Sequence, residues 1–310
     1  MQTILGANGV IGYYTAKALR THTNNIRLVS RNPRPIHETD KLVAADLTNF
    51  SETKLAVKGS EVVYLTAGLN YNTHIWQQQW PIIMQNVIQA CKESSSKLVF
   101  FDNVYSYGYC EGKMTEETPF NPCSKKGEVR AKIAEMLLSE MSANNLEAMI
   151  VRSADFYGPS TPLSFVNMMV FENMVNGKRA QWMLNDTTKH SFTYTPDAGY
   201  GTALLGNTPN AFGQTWHLPT HSDVLTGKEI IELAATALAV APDYQLLKRW
   251  MLQLVSLFNP LVKESMEMLY QLENDYLFDS SKFEKAFRFE PTSYRRGVVE
   301  TIYDYQKIKN

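Results

Sequence analysis

A tyrosine and a lysine stand four positions apart at Tyr109 and Lys113, in the stretch YCEGK. A phenol beside an ammonium can move a proton at a carbonyl or hydroxyl group, the ammonium lowering the phenol's pKa. Residues i and i+4 meet on one face only when the segment is helical. Gly112 within the stretch and Thr118-Pro119 after it favour turns over helix. The spacing is therefore expected to be coincidental.

Just upstream, Asn103, Tyr105 and Tyr107 follow the apolar run Leu98-Val99-Phe100-Phe101. In a strand-to-loop stretch alternate residues share a side, so the three are expected to face one way. The Asn103 amide can hydrogen-bond a substrate oxygen, and either phenol could act as an acid or form a pocket wall. Farther on, His190 and Tyr194 are expected to contact substrate, with Asp197 organising a loop beside them.

Leu5-Gly6-Ala7-Asn8-Gly9-Val10-Ile11-Gly12 follows a short apolar strand and opens a helical pattern. Gly6 permits a sharp turn, Gly9 lets backbone approach a pyrophosphate, and Gly12 lets the helix pack close to the strand. The free N–H groups at the helix start would then face the phosphates. A nicotinamide dinucleotide is the expected cofactor. A carboxylate about 20 positions on would bind an adenosine ribose 2′-hydroxyl and favour NAD. The second strand instead ends Val29-Ser30-Arg31-Asn32, and a hydroxyl beside a guanidinium suits a 2′-phosphate. NADP is expected ahead of NAD.

Thirty basic residues against 31 acidic ones leave a formal charge of −1, which argues against a broad nucleic-acid surface. Ser124-Lys125-Lys126 and Tyr294-Arg295-Arg296 read as short solvated patches. The three cysteines, Cys91, Cys110 and Cys123, form no CxxC pair, and the histidines form no HExxH, so no metal site is expected. The apolar run after Met1 is too short for a leader, and no run nears the ~20 apolar residues of a membrane span. The cytoplasm is the expected location.

These groups need a frame. Thr3–Leu5, Ile26–Val29, Leu42–Ala44, Val62–Leu65, Leu98–Phe101 and Met149–Val151 read as strands, with helical patterns at Ile11–Arg20, His74–Glu93 and Ser124–Met141 between them. Near-continuous apolar strands alternating with amphipathic helices predict an α/β domain, a doubly wound parallel sheet of Rossmann type, over residues 1–155. Strands from about 190–220 are expected to return to it. Residues 156–310 read as a smaller, mostly helical substrate-binding lobe, with helices at Phe165–Asn176, Thr226–Ala239, Tyr244–Phe258 and Pro260–Asn274. Leu246, Leu247, Trp250, Met251, Leu254, Val255, Leu257 and Phe258 form an apolar stripe in the third of these. Core packing or a pocket wall is the plainer reading; contact with a membrane surface is the sharper one.

The chain resembles the extended short-chain dehydrogenase/reductase superfamily, the NAD(P)-dependent epimerase/dehydratase group. The resemblance rests on Gly6-x-x-Gly9-x-x-Gly12, Ala45-Asp46-Leu47, Thr66-Ala67-Gly68, the segment Val151 to Pro159 with its Tyr157-Gly158-Pro159, and Phe192 to Asp197. It implies that Asp46 and Leu47 contact the adenine. It also implies that Thr66, Ala67, Gly68 and Ser153 lie against the cofactor, and that a homodimer forms through helices near 74–93 and 124–141.

At the catalytic positions the chain leaves that pattern. Asn103 stands where the family has Ser or Thr. Aligned on Pro122 and Glu135, Gly127 takes the place of the family's tyrosine and Ala131 that of its lysine. Arg130 or Lys126 could supply the missing positive charge; the plainer expectation for either is an exposed cation on the helix. Two functions stay open: an NADP-dependent oxidoreductase or epimerase-like enzyme on a small carbonyl or hydroxyl substrate, with a rearranged acid, and a non-catalytic NADP-binding sensor or regulatory module.

Overall fold

The computed structural model describes residues 1–309. In chain order its elements begin with β1 (Gln2–Leu5), α1 (Val10–Leu19), β2 (Ile26–Ser30), β3 (Lys41–Ala44), α2 (Phe50–Val57), β4 (Val62–Leu65), α3 (Thr73–Glu93) and β5 (Lys97–Asp102). A 3-10 turn (Tyr105–Tyr107) and β6 (Lys113–Met114) precede α4 (Lys125–Ser142), β7 (Ala148–Arg152) and β8 (Asp155–Tyr157). A π-helical segment (Asn167–Glu172) runs into α5 (Asn173–Val175), then β9 (Ala180–Met183), β10 (Phe192–Tyr194), α6 (Thr195–Gly206) and β11 (Thr215–His217). The remainder comprises α7 (Gly227–Leu238), β12 (Tyr244–Leu247), α8 (Arg249–Ser256) and α9 (Pro260–Ser265), then α10 (Tyr270–Glu273), β13 (Leu277–Phe278), α11 (Ser281–Phe287) and α12 (Tyr294–Lys309).

One compact unit comprises Met1–Gly108, Pro119–Ser153 and Ala198–Leu218. Its seven-stranded sheet has the order β11-β7-β5-β4-β1-β2-β3, with every pair parallel. This is a doubly wound α/β sheet of Rossmann type. The strand order reverses at β1, so the loops leaving β1 and β4 diverge at the carboxyl edge, where such sheets form their ligand crevice. Parallel strands covered on both faces are mostly apolar, and β1, β4 and β7 are buried along their whole length. Helix α3 is capped by the Asn72 side chain, which accepts from the Ile75 N–H. Its Trp76, Trp80, Ile83, Met84, Val87 and Cys91 recur at helical spacing and pack into the sheet's core.

The second unit comprises Tyr109–Thr118, Ala154–Asp197 and Pro219–Asn310. It holds three two-stranded parallel pairs, β8 with β10, β9 with β12 and β6 with β13. Its core joins Phe171, Trp182, Phe192 and Tyr157 to Ile230, Ile231, Tyr294 and Val298. Helix α7 begins with a capping box between Thr226 and Glu229.

Three expectations are corrected. Of the strands expected to return from about 190–220, β11 joins the large sheet but β10 pairs with β8. The stretch read as one helix over Tyr244–Phe258 is a strand followed by a helix, because Tyr244–Leu247 align with Ala180–Met183. The helix read over Pro260–Asn274 is broken into α9, a 3-10 turn and α10.

Candidate functional site

The glycine loop lies between the carboxyl ends of β1 and β4. Gly6 has φ +92°, and a Cβ there would stand 2.4 Å from the Ala67 Cα, so only glycine fits the turn. At Gly12 a Cβ would stand 2.7 Å from the Gly6 carbonyl oxygen, which holds α1 tight under the loop. Gly9 is the N-cap residue, and no side chain caps this helix; the helix begins at Val10 and Ile11 with its N–H groups turned toward the loop. Beyond β4, Thr66 donates its N–H to the Leu5 carbonyl (2.9 Å), and open space lies at the Gly68 Cα.

The Asn8 side chain ties the loop to the end of β2. Its Nδ2 donates to the Asn32 carbonyl (2.8 Å), and its Oδ1 accepts from the Arg34 N–H (3.3 Å). The Ser30 Oγ is buried without a hydrogen-bond partner, a costly state for a hydroxyl. Arg31 beside it is exposed. The Thr48 N–H and hydroxyl, both bonded to Asp46 Oδ1, hold the Asp46 carboxyl below its usual range; partial burial opposes them and the Arg31 charge adds to them. The Leu47 side chain, expected at the adenine, packs into the core instead, while its carbonyl accepts from Thr53 and Asn86.

Along β5 and β7 lies a buried polar network. Asp102 and Arg152 are register partners at the strand ends. Asp102 Oδ1 accepts from Arg130 Nε (2.7 Å) and Nη2, and Oδ2 accepts from Arg152 Nε (3.1 Å). Arg152 Nη1 donates to the Tyr107 hydroxyl (2.9 Å), which also shares a hydrogen bond with His217 Nε2 (2.9 Å). Two guanidinium groups on one carboxylate leave an excess positive charge inside the protein. Aromatic faces offset it: Arg130 lies over Trp80 (4.6 Å) and Phe100 (5.1 Å), and Arg152 over Tyr107 and Phe120 (both 4.9 Å).

The expected catalytic groups are dispersed by this arrangement. Asn103 Oδ1 accepts from the Tyr105 N–H (3.1 Å), an Asx-type turn that starts the 3-10 segment. At three residues per turn, Asn103, Tyr105 and Tyr107 do not share a side, contrary to expectation. Tyr107 is buried in the network, while the half-buried Tyr105 stacks on Trp76 (6.3 Å between ring centres). Arg130 is neither an exposed cation nor a free one. Lys126, read as solvated, is wholly buried; its Nζ donates to Thr73 Oγ1 (2.8 Å) and lies over the Tyr71 ring. Ala131 is buried, and Gly127 lies against the Tyr105 carbonyl. Gly112 has φ +83°, and Lys113 stands in β6, 3.4 Å from Asp279, so residues 109–113 are not helical.

In the second unit His190 is buried, 2.9 Å from Asp155 Oδ2 and stacked on Tyr276. Tyr194 donates to Glu300. Asp197 accepts from the Thr292 N–H (2.7 Å) and hydroxyl (3.0 Å), and burial pushes its carboxyl up. No group of three or more metal-ligating side chains occurs among the described residues, and no helix among them is long and apolar enough to cross a membrane.

No buried network of Asp102, Arg152 and His217 was expected from the sequence, although Arg152 lies in the segment Val151 to Pro159 that carries the resemblance. The available signal was a charge ending an otherwise apolar strand, in KLVFFD and AMIVR. Such a residue has to find a buried partner.

Comparison with known proteins agrees with this frame. The dTDP-glucose 4,6-dehydratase DesIV of Streptomyces venezuelae, solved with NAD, superimposes with a TM-score of 0.81 at 15% identity, covering 99% of this chain and 97% of that one. The UDP-glucuronic acid 4-epimerase of Bacillus cereus, also solved with NAD, gives 0.81 at 16% identity over 100% of both chains. A 3beta-hydroxysteroid-dehydrogenase/decarboxylase of Arabidopsis thaliana is 23% identical over 170 residues, 51% of this chain and 29% of the plant protein, so the match spans under a third of that relative. The profile of the NAD dependent epimerase/dehydratase family matches residues 3–215. The chain belongs to the NAD dependent epimerase/dehydratase family.

Proposed function

We propose that this protein binds a nicotinamide dinucleotide, NADP ahead of NAD, and performs oxidoreductase- or epimerase-type chemistry on a small carbonyl or hydroxyl compound. The observation that carries the reading is the Gly6–Gly12 loop, held against Thr66–Gly68 at the point where the strand order reverses. The residues present fit the cofactor. The uncapped start of α1 suits the diphosphate, and the partnerless Ser30 Oγ with Arg31 suits an adenosine 2′-phosphate. When bound, the cofactor would supply hydride transfer.

In this reading Asn103 orients a substrate oxygen, and Tyr105, two residues on in the chain, is the acid. A second reading, a non-catalytic cofactor sensor, is favoured by one observation: Lys126 and Arg130 are both committed to buried partners.

Titration of NADPH and NADH fluorescence, beside NADPH oxidation across a carbonyl panel, tests both. Binding with turnover that Tyr105→Phe lowers by about 10²–10⁴ supports the enzyme. Binding without turnover on any substrate supports the sensor. No binding of either dinucleotide at millimolar concentration removes both.

A further inference from the structure

The apolar stripe around α8 and α9 is not core. Only Leu252 of α8 is buried, while Trp250 (58% exposed), Leu254, Leu257 (73%), Phe258 (88%) and Leu261 stand in solvent. The turn that presents them is built. The Phe258 N–H donates to the Val255 carbonyl, the Asn259 side chain accepts from the Leu261 and Val262 N–H groups, and Pro260 opens α9. Leu252 anchors α8 in the core beneath, and Leu269, beyond the 3-10 turn that follows α9, is buried in the same core. Exposing this many large apolar side chains together is unusual for a surface that meets only water.

Charge says what covers it. From Lys248 to Lys263 the chain reads KRWMLQLVSLFNPLVK, with three cations and no acid. Arg249 is paired with Glu273, and Lys248 and Lys263 are exposed. A twofold contact between copies through this patch would set these cations against their equivalents. With Phe258 at its most exposed point the patch is a projection, whereas binding of an amphipathic peptide helix needs a groove. Aromatic and leucine side chains on one face, with Lys and Arg beside them, match the headgroup–acyl boundary of a bilayer.

We propose that the α8–α9 turn is a docking site for an anionic phospholipid surface, with Trp250, Leu257 and Phe258 entering the acyl boundary and Lys248 and Lys263 meeting the phosphates. The attachment is peripheral and independent of the cofactor site.

Co-sedimentation of the full chain with vesicles tests it, using phosphatidylcholine alone or with about a third phosphatidylserine. Binding is expected to the anionic vesicles, to weaken in high salt, and to fall at least about tenfold in Leu257→Ser/Phe258→Ser. Lys248→Gln and Lys263→Gln are each expected to cost about fivefold. All three variants alter exposed side chains, so an unchanged melting midpoint accompanies a true result. No binding to anionic vesicles, or binding that the serine pair leaves intact, overturns the proposal. A dimer in sedimentation velocity that the serine pair converts to monomer, without lipid binding, overturns it in favour of self-association.

Discussion

The Cα of Gly127 lies so close to the backbone of Tyr105 that a Cβ on it would stand 2.6 Å from the Tyr105 carbonyl oxygen. The residue is the third of α4, and its N–H donates to the capping Ser124 Oγ (3.0 Å). The approach keeps the start of α4 pressed on the 3-10 turn.

Gly127→Ala therefore sets two effects in opposition. Alanine gains about 1 kcal/mol over glycine inside a helix, but a contact on a backbone carbonyl forces a shift costing about 1–3 kcal/mol. The shift is expected to win, because neither backbone can swing away like a flexible side chain. The melting midpoint should fall by about 2–4 °C for each net kcal/mol lost. A midpoint raised by alanine would mean that the close approach is slack. The larger Gly127→Tyr/Ala131→Lys change should be far more damaging unless α4 moves.

The Asp102 network predicts an order of damage. Asp102→Asn leaves two buried guanidiniums without their counter-charge, and breaking a buried pair in this way costs about 3–5 kcal/mol. Arg130→Met leaves Asp102 paired one to one with Arg152 and places an unbranched apolar chain among Trp80 and Phe100. It should cost markedly less. Thermal melts of the two variants decide the point, and equal losses would show that the second arginine is required.

Stability should also carry a mark of Asp197. Burial raises this carboxyl despite its bonds from Thr292. A raised folded value means that the folded state holds the proton more firmly than the unfolded chain, so the native state loses stability as pH rises from about 4 to that raised value. Asp197→Asn retains a group that can accept from the Thr292 N–H and donate to its hydroxyl. Melting midpoints of the variant, compared with the parent from acid to neutral pH, should diverge upward through that window and run parallel above it. Parallel curves throughout would mean that the Thr292 bonds outweigh the burial.

Much of the first unit was legible because its signals are local. Apolar strand runs and the glycine loop need only their own residues, and β1 to β5 and β7 stand where those runs lie. What failed depended on partners distant in the chain. Leu246 and Leu247 share helical spacing with Trp250 and Leu254, yet they form a strand because Trp182 and Met183 pair with them. Lys126 and Arg130 look like helix surface until Tyr71, Thr73 and Trp80 close over them. The Asn103 side chain turns the chain after β5, so alternation along a strand did not carry to Tyr107.

The choice of dinucleotide hangs on the end of β2. Ser30 and Arg31 stand at the end of β2, where an acid would bind a ribose 2′-hydroxyl, and the Asp46 carboxylate, which the Arg31 charge helps hold low, is already engaged by Thr48. Arg31 is exposed and free to swing onto a phosphate. A charge-assisted contact of this kind contributes about 1.5–3 kcal/mol, so Arg31→Ala should weaken NADPH by roughly 10–150-fold while leaving NADH nearly unchanged. Fluorescence titration of both ligands against both proteins gives the four constants. Equal losses for the two dinucleotides would place Arg31 on the adenosine they share, and any preference for the 2′-phosphate would then have to come from another residue.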